Sequence, residues 1–407
     1  MRYIYIFLLL SIVFIPSFGA LDKANTQWLY LSVLPILPLI TSLNKFGFNL
    51  SKSKIFIIYL LFFFQILLSL FYTNNFSISI IDFSRHCSIL ILLFLIIHLF
   101  IKENLSFYRL SLIVTFFLLF ETLLSLQPLF KFAVNNGFNF STITSINIDG
   151  LKGVTGNRNI TTASIIIKLP FLIFIIYQSN NFLKYIFSAL SFFPVLSLFL
   201  INSRAALLSF LTIIFIIVLT ITFLHFKKIK RILLLIFPFV CAYIFANSLM
   251  PNETSTTSQR LASINFSNES SSHRLFLWEN AIDYISLNPF IGCGIGNWKV
   301  ESAFYWGSFG SKYLVPFHAH NDFLEFSTEL GILGGITYLT LFLFVFFKLF
   351  KLYVKLRDFH FVILFCSWLA LFVDSSLNFP FERPIIQTMF LLLLALIISY
   401  EYSSKTQ

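Results

Sequence analysis

Residues 205–226 read AALLSFLTIIFIIVLTITFLHF, a run that contains no Asp, Glu, Lys or Arg. A helix rises about 1.5 Å per residue, so a run of this length crosses the roughly 30 Å hydrocarbon core of a bilayer. The composition agrees, because 58% of all residues are hydrophobic and 11% are charged, against about 25% charged in a typical soluble domain. We therefore predict an all-α fold, a polytopic membrane helical bundle.

Similar apolar runs recur along the whole sequence and predict about twelve transmembrane helices. Because they leave no room for a second domain, residues 1–407 are predicted to form a single membrane domain. The predicted spans lie near residues 3–19, 29–43, 55–72, 87–101, 107–127, 160–177, 182–201, 205–226, 231–249, 321–347, 361–373 and 384–400.

The basic residues are spread over the loops instead of forming one patch. Clusters at residues 227–231 and 348–357 lie between apolar runs, where the positive-inside rule places cytoplasmic loops. The formal charge of +11 is therefore interpreted as a topology signal, and no nucleic-acid partner is expected. With both termini inside, the long loop between helices 9 and 10, residues 250–320, lies outside.

The first apolar run, residues 3–19, has two interpretations. A single basic residue, Arg2, precedes it, and small residues follow it, as in a signal peptide with a cleavage site. We favour a retained helix because the preceding segment holds so little positive charge. Cleavage of residues 1–19 stays open.

The 250–320 loop has two parts. Residues 251–272 are so rich in Ser, Thr and Asn that we interpret them as a flexible lead-in. Residues 273–286 predict an amphipathic helix on the membrane surface, ended by Asn288-Pro289. Its apolar positions at helical spacing are Trp278, Ala281, Ile282 and Ile285.

The most informative polar motif is FHAHNDFLE at residues 317–325. An imidazole at a membrane mouth, such as His320, can act as a general base near neutral pH. The alternative is an interfacial histidine at a helix start. The spacing of His318 and His320 does not match a zinc site, and HExxH and CxxC motifs are absent, so no metal and no other cofactor are expected.

Three further elements carry cations or polar groups. Arg204 lies between two spans with almost no loop, where a guanidinium is costly unless it faces a cavity or an anion, although it could also snorkel to headgroups. Arg274 stands one turn before Trp278 and could contact headgroups. Gly156-Asn157-Arg158-Asn159 suits an anionic or sugar ligand, and a loop-to-helix junction explains it almost as well.

Taken together, these elements resemble the O-antigen ligase superfamily, which includes O-antigen polymerases and protein O-oligosaccharyltransferases. The most specific match is His320-Asn321, nine residues, then Gly331-x-x-Gly334. Three other elements follow the family's order: Gly156-Asn157-x-Asn159, Ser203-Arg204, and the run from Arg274 through Trp278 to Pro289 and Gly292. The family also has about twelve helices and a large periplasmic loop between the ninth and tenth.

The resemblance implies metal-independent transfer of a glycan from undecaprenyl pyrophosphate to an acceptor hydroxyl, with inversion at the anomeric carbon. Arg204 and Arg274 would hold the pyrophosphate, since Arg suits bidentate phosphate contacts. His320 would take the acceptor proton, with Asn321 and Asp322 orienting it or contacting sugar. Trp278 would line the donor entrance from the lipid bilayer. We expect Arg204, Arg274 and His320 to converge on one outward-facing cavity.

The acceptor would be the lipid A core in a ligase, a second lipid-linked glycan in a polymerase, or a Ser or Thr in a protein transferase. We favour the ligase, located in the inner (cytoplasmic) membrane with its active site facing the periplasm. A transporter or flippase is the alternative from another class, but it should carry ionisable residues near mid-membrane. Lys168 is the main such residue, and its long side chain could snorkel.

Overall fold

The computed structural model describes residues 2–20, 22–36, 53–102, 106–136, 151–153, 155–249, 272–305 and 317–406. Every regular element within these ranges is a helix, which confirms the all-α prediction. The α-helices are α1 (Arg2–Leu10), α2 (Lys23–Val33), α3 (Lys54–Ser69), α4 (Phe76–Lys102), α5 (Phe107–Asn136), α6 (Arg158–Gln178), α7 (Leu183–Leu190), α8 (Phe192–Ile201), α9 (Arg204–Leu224), α10 (Arg231–Ser248), α11 (Ser272–Leu287), α12 (Trp298–Glu301), α13 (Asp322–Leu330), α14 (Ile332–Leu356), α15 (His360–Leu377) and α16 (Pro384–Thr406).

Within the described ranges, nine helical segments are long and apolar enough to cross a membrane, with α7 and α8 counted together. Two shorter apolar helices, Arg2–Phe14 and Lys54–Ser69, accompany them. The protein is therefore a polytopic membrane protein. The predicted span at 29–43 lies partly outside the described residues, and its described part belongs to the end of α2 and the residues just after it.

The predicted span at residues 321–347 is wrong in its bounds, because the structure divides it into two helices. α13 ends at Leu330, and Gly331 has a φ of +77°, a left-handed conformation that breaks the helix. α14 then runs to Leu356, nine residues beyond the predicted end. The long apolar segment therefore begins at Ile332 and leaves α13 as a separate short helix.

Two other spans are longer than predicted. α4 begins at Phe76 instead of residue 87, because the polar side chains in its first turns are paired within the protein. α5 continues through Pro128 to Asn136 instead of ending at residue 127. Proline is tolerated inside membrane helices because neighbouring groups can satisfy the freed carbonyl.

The chain forms two compact units, and unit 1 comprises Met1–Pro16, Leu105–Asn265 and Leu352–Val373. α6 is its central helix, since every residue from Thr161 to Tyr177 is buried. A helix that is apolar on all sides can be stable only when other helices surround it. α6 packs against α5, α7, α8, α9 and α10.

Lys168 lies at the middle of α6, and its side chain does not snorkel, in contrast to the possibility raised from the sequence. Its side chain is 1% exposed, and its Nζ lies 2.5 Å from Oε1 of Glu121 on α5. Ser164 accepts a second hydrogen bond from Lys168 and donates to Glu121. The intramembrane lysine is therefore part of a buried ion pair between two packed helices.

Unit 2 comprises Ser17–Asn104, Phe266–Lys351 and Asp374–Gln407. Its central helix is α16, which is almost entirely buried and packs against α4 and α2. α13 packs against α3 and α11. Unit 2 carries the FHAHNDFLE motif, so the surroundings of α13 position the candidate site.

α11 extends from Ser272 to Leu287 and ends just before Asn288-Pro289, in agreement with the predicted helix. Its buried face differs from the predicted one. Leu277, Ala281 and Tyr284 are buried, whereas Ile282 is 53% exposed. This face packs on α13, which explains the shift, because protein contacts and not only a membrane surface select the buried side. Its placement on the membrane surface stays a prediction.

A glycine turn after α11 packs its backbone directly on the end of α13. Cys293 N donates to Thr328 O at 3.0 Å, and Gly294 N donates to Glu329 O at 2.9 Å. A Cβ at Gly292 would lie 2.3 Å from the Thr328 oxygen, so only glycine fits. The turn therefore satisfies carbonyls at the end of α13 that have no partner within that helix.

Candidate active site

The turn that precedes α13 holds His320 in an unusual backbone conformation. Asn321 is the N-cap of α13, and its Oδ1 accepts hydrogen bonds from the N–H groups of Phe323 and Leu324 at 3.0 and 3.1 Å. His320 has a φ of +53°. A non-glycine residue in the left-handed region is uncommon and costs energy, and such residues are frequent at functional sites.

Glu325, on the first turn of α13, holds this turn with both carboxylate oxygens. Oε1 lies 2.7 Å from His318 Nδ1, and Oε2 accepts the Ala319 N–H at 2.9 Å. Burial alone would lower the pKa of His318, but the adjacent Glu325 carboxylate raises it above the usual histidine value. The Glu325 carboxylate therefore favours the charged form of His318.

Phe379 contacts three cationic or titratable groups at once. The His318 ring stacks on it with centroids 4.1 Å apart and an interplanar angle of 14°. The Arg383 guanidinium carbon lies over the same ring, 4.3 Å from its centroid. The His320 ring meets the Phe379 ring at 87° with centroids 4.8 Å apart. We call His318, His320, Glu325, Phe379 and Arg383 the histidine cluster.

His320 is held in its neutral form, the form that can accept a proton. Burial, followed by the charges of Arg274 and His318, lowers the pKa of His320 to about 4, so the imidazole is neutral at physiological pH. Its Nδ1 is buried and has no hydrogen-bond partner among the residues that the structure describes. A neutral imidazole with an uncommitted nitrogen is what a general base requires.

Arg274 is anchored beside the histidine cluster by a hydrogen-bonded chain. Its Nη2 donates to Asn378 Oδ1 at 3.1 Å, and Asn378 Nδ2 donates to Asp374 Oδ1 at 2.6 Å. Asn378 follows the end of α15 directly and precedes Phe379. The structure therefore brings Arg274 and His320, predicted from separate motifs, into one neighbourhood in unit 2.

Asp322 and Trp278 also lie in unit 2. Asp322 is 3% exposed, and burial, reinforced by the nearby carboxylates of Glu325 and Asp374, raises its pKa well above the usual value. A carboxyl group that stays protonated can donate a hydrogen bond as well as accept one. Trp278 is half-buried on α11, and its Nε1 has no hydrogen-bond partner among the described residues.

A network of ion pairs supports the backbone that follows Phe379. Asp82 on α4 pairs with Arg85 at 2.7 Å and with Lys299 at 2.9 Å. Arg85 also pairs with Glu382 at 3.0 Å, and Glu382 ends the short 3₁₀ turn Pro380–Glu382. This network fixes the segment that carries Phe379 on one side and Arg383 on the other.

Unit 1 brings two of the other sequence motifs together. Asn157 caps α6 by accepting the Asn159 N–H at 2.9 Å, and Gly156 before it has a φ of +70°. Asn159 Oδ1 accepts a hydrogen bond from Ser203 Oγ at 3.0 Å. The loop-to-helix junction of Gly156–Asn159 is thus real, and it is joined to the residue that precedes Arg204.

The predicted site residues are divided between the units. His320, Arg274, Asn321, Asp322 and Trp278 belong to unit 2, whereas Arg204, Arg158 and the other residues of the 156–159 motif belong to unit 1. The expected convergence of Arg204 with Arg274 and His320 stays a prediction. Among the described residues, no three His, Cys, Asp or Glu side chains are grouped so that they could hold a metal ion.

Comparison with known proteins finds a family that part of this chain resembles. Residues 186–339 match the family model described as O-antigen ligase. This segment includes Arg204, Arg274 and the whole FHAHNDFLE motif, whereas the 156–159 motif precedes it. Over this segment, which is less than half of the chain, the comparison agrees with the resemblance inferred from the motifs.

The curated relatives have consistent descriptions. A Rickettsia felis protein described as "Putative polysaccharide ligase" is 37% identical over 76 residues, which is 18% of this chain and 19% of the relative. A Rickettsia prowazekii protein with the same type of description is 28% identical over 177 residues, 40% of this chain and 39% of the relative. The chain thus matches less than half of the length of each of these relatives.

Proposed function

We propose that the protein is a membrane glycosyltransferase that transfers a glycan from undecaprenyl pyrophosphate to an acceptor hydroxyl without a metal ion. The observation that carries this proposal is the neutral His320 beside Arg274, with a buried Nδ1 that has no hydrogen-bond partner in the described part of the chain. The descriptions of the relatives as polysaccharide ligases support it.

In the proposed reaction, the acceptor oxygen attacks the anomeric carbon of the donor while His320 removes the hydroxyl proton. The bond from that carbon to the pyrophosphate oxygen breaks, and undecaprenyl pyrophosphate leaves with the electron pair. Attack opposite the leaving group inverts the anomeric carbon. Because pyrophosphate is already a good leaving group, positioned cations are sufficient to stabilise its growing charge.

Arg274 and Arg204 are the proposed phosphate ligands. Arg274 has one end fixed by Asn378, which orients its planar group at little entropic cost when phosphate binds. Asp322, whose raised pKa favours its protonated form, and the indole N–H of Trp278 are the proposed hydrogen-bond donors to sugar hydroxyls. Asn157, Arg158 and Asn159 offer further polar contacts, and Asn321 begins the helix that supports His320.

The favoured acceptor is the lipid A core, and an O-antigen polymerase or a protein O-oligosaccharyltransferase is the alternative. Deletion of the gene separates them, because a ligase mutant loses lipopolysaccharide capped with O-chain, a polymerase mutant loses only long chains, and a protein transferase mutant loses protein glycans. Purified protein should transfer a lipid-linked glycan in the presence of a chelator. Loss of activity in chelator would reject the metal-independent mechanism.

We expect Arg274→Lys and Arg204→Lys to weaken both donor binding and turnover. Lysine keeps the positive charge but loses the planar fork that grips two phosphate oxygens. The loss of one charge-assisted hydrogen bond, about 1.5–3 kcal/mol, corresponds to roughly a tenfold to hundredfold decrease. Donor affinity and transfer rate measured on the purified variants test this.

Arg109→Lys is the matched control, because Arg109 is an exposed arginine at the start of α5 on the predicted cytoplasmic side. Its donor affinity should equal that of the wild type. Unchanged donor affinity in Arg274→Lys would remove Arg274 from the phosphate site, and the same outcome in Arg204→Lys would remove Arg204.

The proposed location is the inner membrane, with both termini in the cytoplasm and the 250–320 loop in the periplasm. The basic cluster at residues 227–231 predicts this orientation. Alkaline phosphatase fused near Ser270 should be active, and the same enzyme fused after Lys230 should be inactive. Reversed activities of the two fusions would overturn the topology and the periplasmic placement of the site.

A further inference from the structure

We propose that His318 and Glu325 form a positioning pair for His320, with Phe379 as the surface on which both histidines are aligned. This inference rests on the proposed function, in which His320 is the general base. His318 and Glu325 need not touch the substrate. Their role is to hold the turn that carries His320 and to set the charge beside it.

The first argument is mechanical. A single carboxylate holds two consecutive residues of the turn, the His318 ring at 2.7 Å and the Ala319 N–H at 2.9 Å. The next residue, His320, then adopts its left-handed backbone. Strained conformations persist only where surrounding contacts over-determine them. Glu325 supplies two such contacts from α13, a helix that the glycine turn fixes at its other end.

The second argument comes from Phe379. His318 stacks on its ring and the Arg383 guanidinium lies over the same ring, so both groups restrict the movement of Phe379. Its position in turn restricts the His320 ring, which meets it nearly at a right angle. Removal of His318 would uncover one face of Phe379 and release this restraint.

The third argument concerns charge. The groups that act electrostatically on His320 are Arg274 on α11, His318 on its own turn, Glu325 on α13 and Arg383 just before α16. His318 and the two arginines lower the pKa of His320, whereas Glu325 raises it. Glu325 also favours the charged form of His318. The pair therefore helps to keep His320 neutral and able to accept a proton.

The test is the pH profile of transfer by the purified full-length protein. The assay uses an undecaprenyl-pyrophosphate-linked oligosaccharide as donor and lipopolysaccharide core as acceptor. Activity requires neutral His320 and is lost as the pH falls through its pKa, so the acid limb of kcat/KM reports that pKa. His318→Gln removes a positive charge and leaves Glu325 unpaired, and both changes raise the pKa of His320. Its acid limb should move to higher pH by about one unit.

Glu325→Gln should give a different result. Loss of the carboxylate lowers the pKa of His320, but loss of the charge on His318 raises it, so the acid limb should move little. Because the turn loses its clamp, kcat should fall by roughly a hundredfold, the usual effect of a misplacement of about 1 Å, while the donor KM stays the same. His318→Arg, which retains a positive and flat group over Phe379, should restore the acid limb of the wild type.

Two matched variants control for general damage. Glu329→Gln makes the same change one turn further along α13. There the Glu329 carboxylate accepts the Trp298 N–H, whereas the Ala319 N–H of the His320 turn is bound by Glu325. His360→Gln removes a histidine that is paired in the same way, with Asp358 at 2.8 Å, in unit 1. Both should keep the pH profile of the wild type. Thermal unfolding of every variant shows whether it is folded.

The outcomes separate the two proposals. If folded His318→Gln and Glu325→Gln keep the kcat and acid limb of the wild type while His320→Ala is inactive, the positioning pair is wrong and the base assignment stands. If His320→Ala itself is fully active, the proposed function fails first. A folded His318→Gln whose acid limb moves to lower pH also overturns the positioning pair.

Discussion

We expect His320→Ala to slow glycan transfer by roughly two to four orders of magnitude while donor binding survives. Removal of a positioned general base typically costs this much rate. Donor binding should persist because the proposed phosphate ligands are arginines on other elements. Turnover of a lipid-linked donor and its equilibrium binding, measured on the same preparation, give the two quantities.

The backbone of His320 makes a second variant necessary. Alanine is disfavoured at a φ of +53°, so the turn could shift when the side chain is shortened. Asparagine tolerates this conformation and has no basic nitrogen, so His320→Asn tests the base without the strain. Both variants should be equally inactive, and His360→Ala in unit 1 should be fully active. Activity of His320→Asn near that of the wild type contradicts the base assignment.

The fold class and the polar half of the site could be predicted from the sequence, for two physical reasons. Apolar runs report the solvent directly, so uncharged stretches such as residues 205–226 predict membrane helices wherever the rest of the chain lies. Polar residues at the ends of such runs are costly unless they have a use, which marked Arg204 as a candidate, whereas His320 and Arg274 were selected through the motifs that resemble the ligase family.

The aromatic and carboxylate half of the site had no such signal. Phe379 is one of 56 phenylalanines, and its role depends on the groups that pack on its ring. Glu325 lies within the FHAHNDFLE motif, but its contacts depend on the left-handed turn at His320, which no local pattern encodes. The sequence signal that could have indicated this half of the site is the short break between two spans. There, Phe379-Pro380 is followed closely by the charged pair Glu382-Arg383.

The predicted helix boundaries were wrong where an apolar run continued across a change in backbone conformation. The run from Asp322 through α14 looks like one span, because Gly331 is apolar and lies among apolar residues. α13 ends because Gly331 has a positive φ and because the Phe290 carbonyl approaches it closely. A side-chain Cβ at this position would lie 2.5 Å from the Phe290 oxygen. That contact joins residues far apart in the chain, and periodicity reports only neighbours.

Periodicity also does not report the partner of Lys168, because that partner lies on another helix. This ion pair gives the second large expected effect. Lys168→Met should destabilise unit 1 by about 3–5 kcal/mol, since it leaves Glu121 buried without its countercharge. Glu121→Leu should cost a similar amount because it leaves the ammonium group buried with the Ser164 hydroxyl and without a countercharge. The free energy of unfolding in detergent or bicelles measures both effects.

The double variant Glu121→Leu/Lys168→Met decides between a structural pair and a functional one. Replacing a whole buried ion pair with apolar residues of similar size is often neutral or stabilising, so the double variant should recover most of the stability that either single variant loses. A double-mutant cycle then gives the coupling energy of the pair. If the double variant loses about the sum of the two single losses, the two side chains do not act as a pair.

Lys348→Met provides the matched comparison, because Lys348 pairs with Glu401 at 3.6 Å and is 15% exposed. Glu401 also accepts a hydrogen bond from Ser53, so it keeps a partner when the lysine is removed. Its loss of stability should therefore be clearly smaller than that of Lys168→Met. The last measurement is the transfer activity of the stable double variant. Turnover equal to that of the wild type would show that neither charge is needed for the reaction. It would therefore assign the Glu121–Lys168 pair to the assembly of α5 with α6.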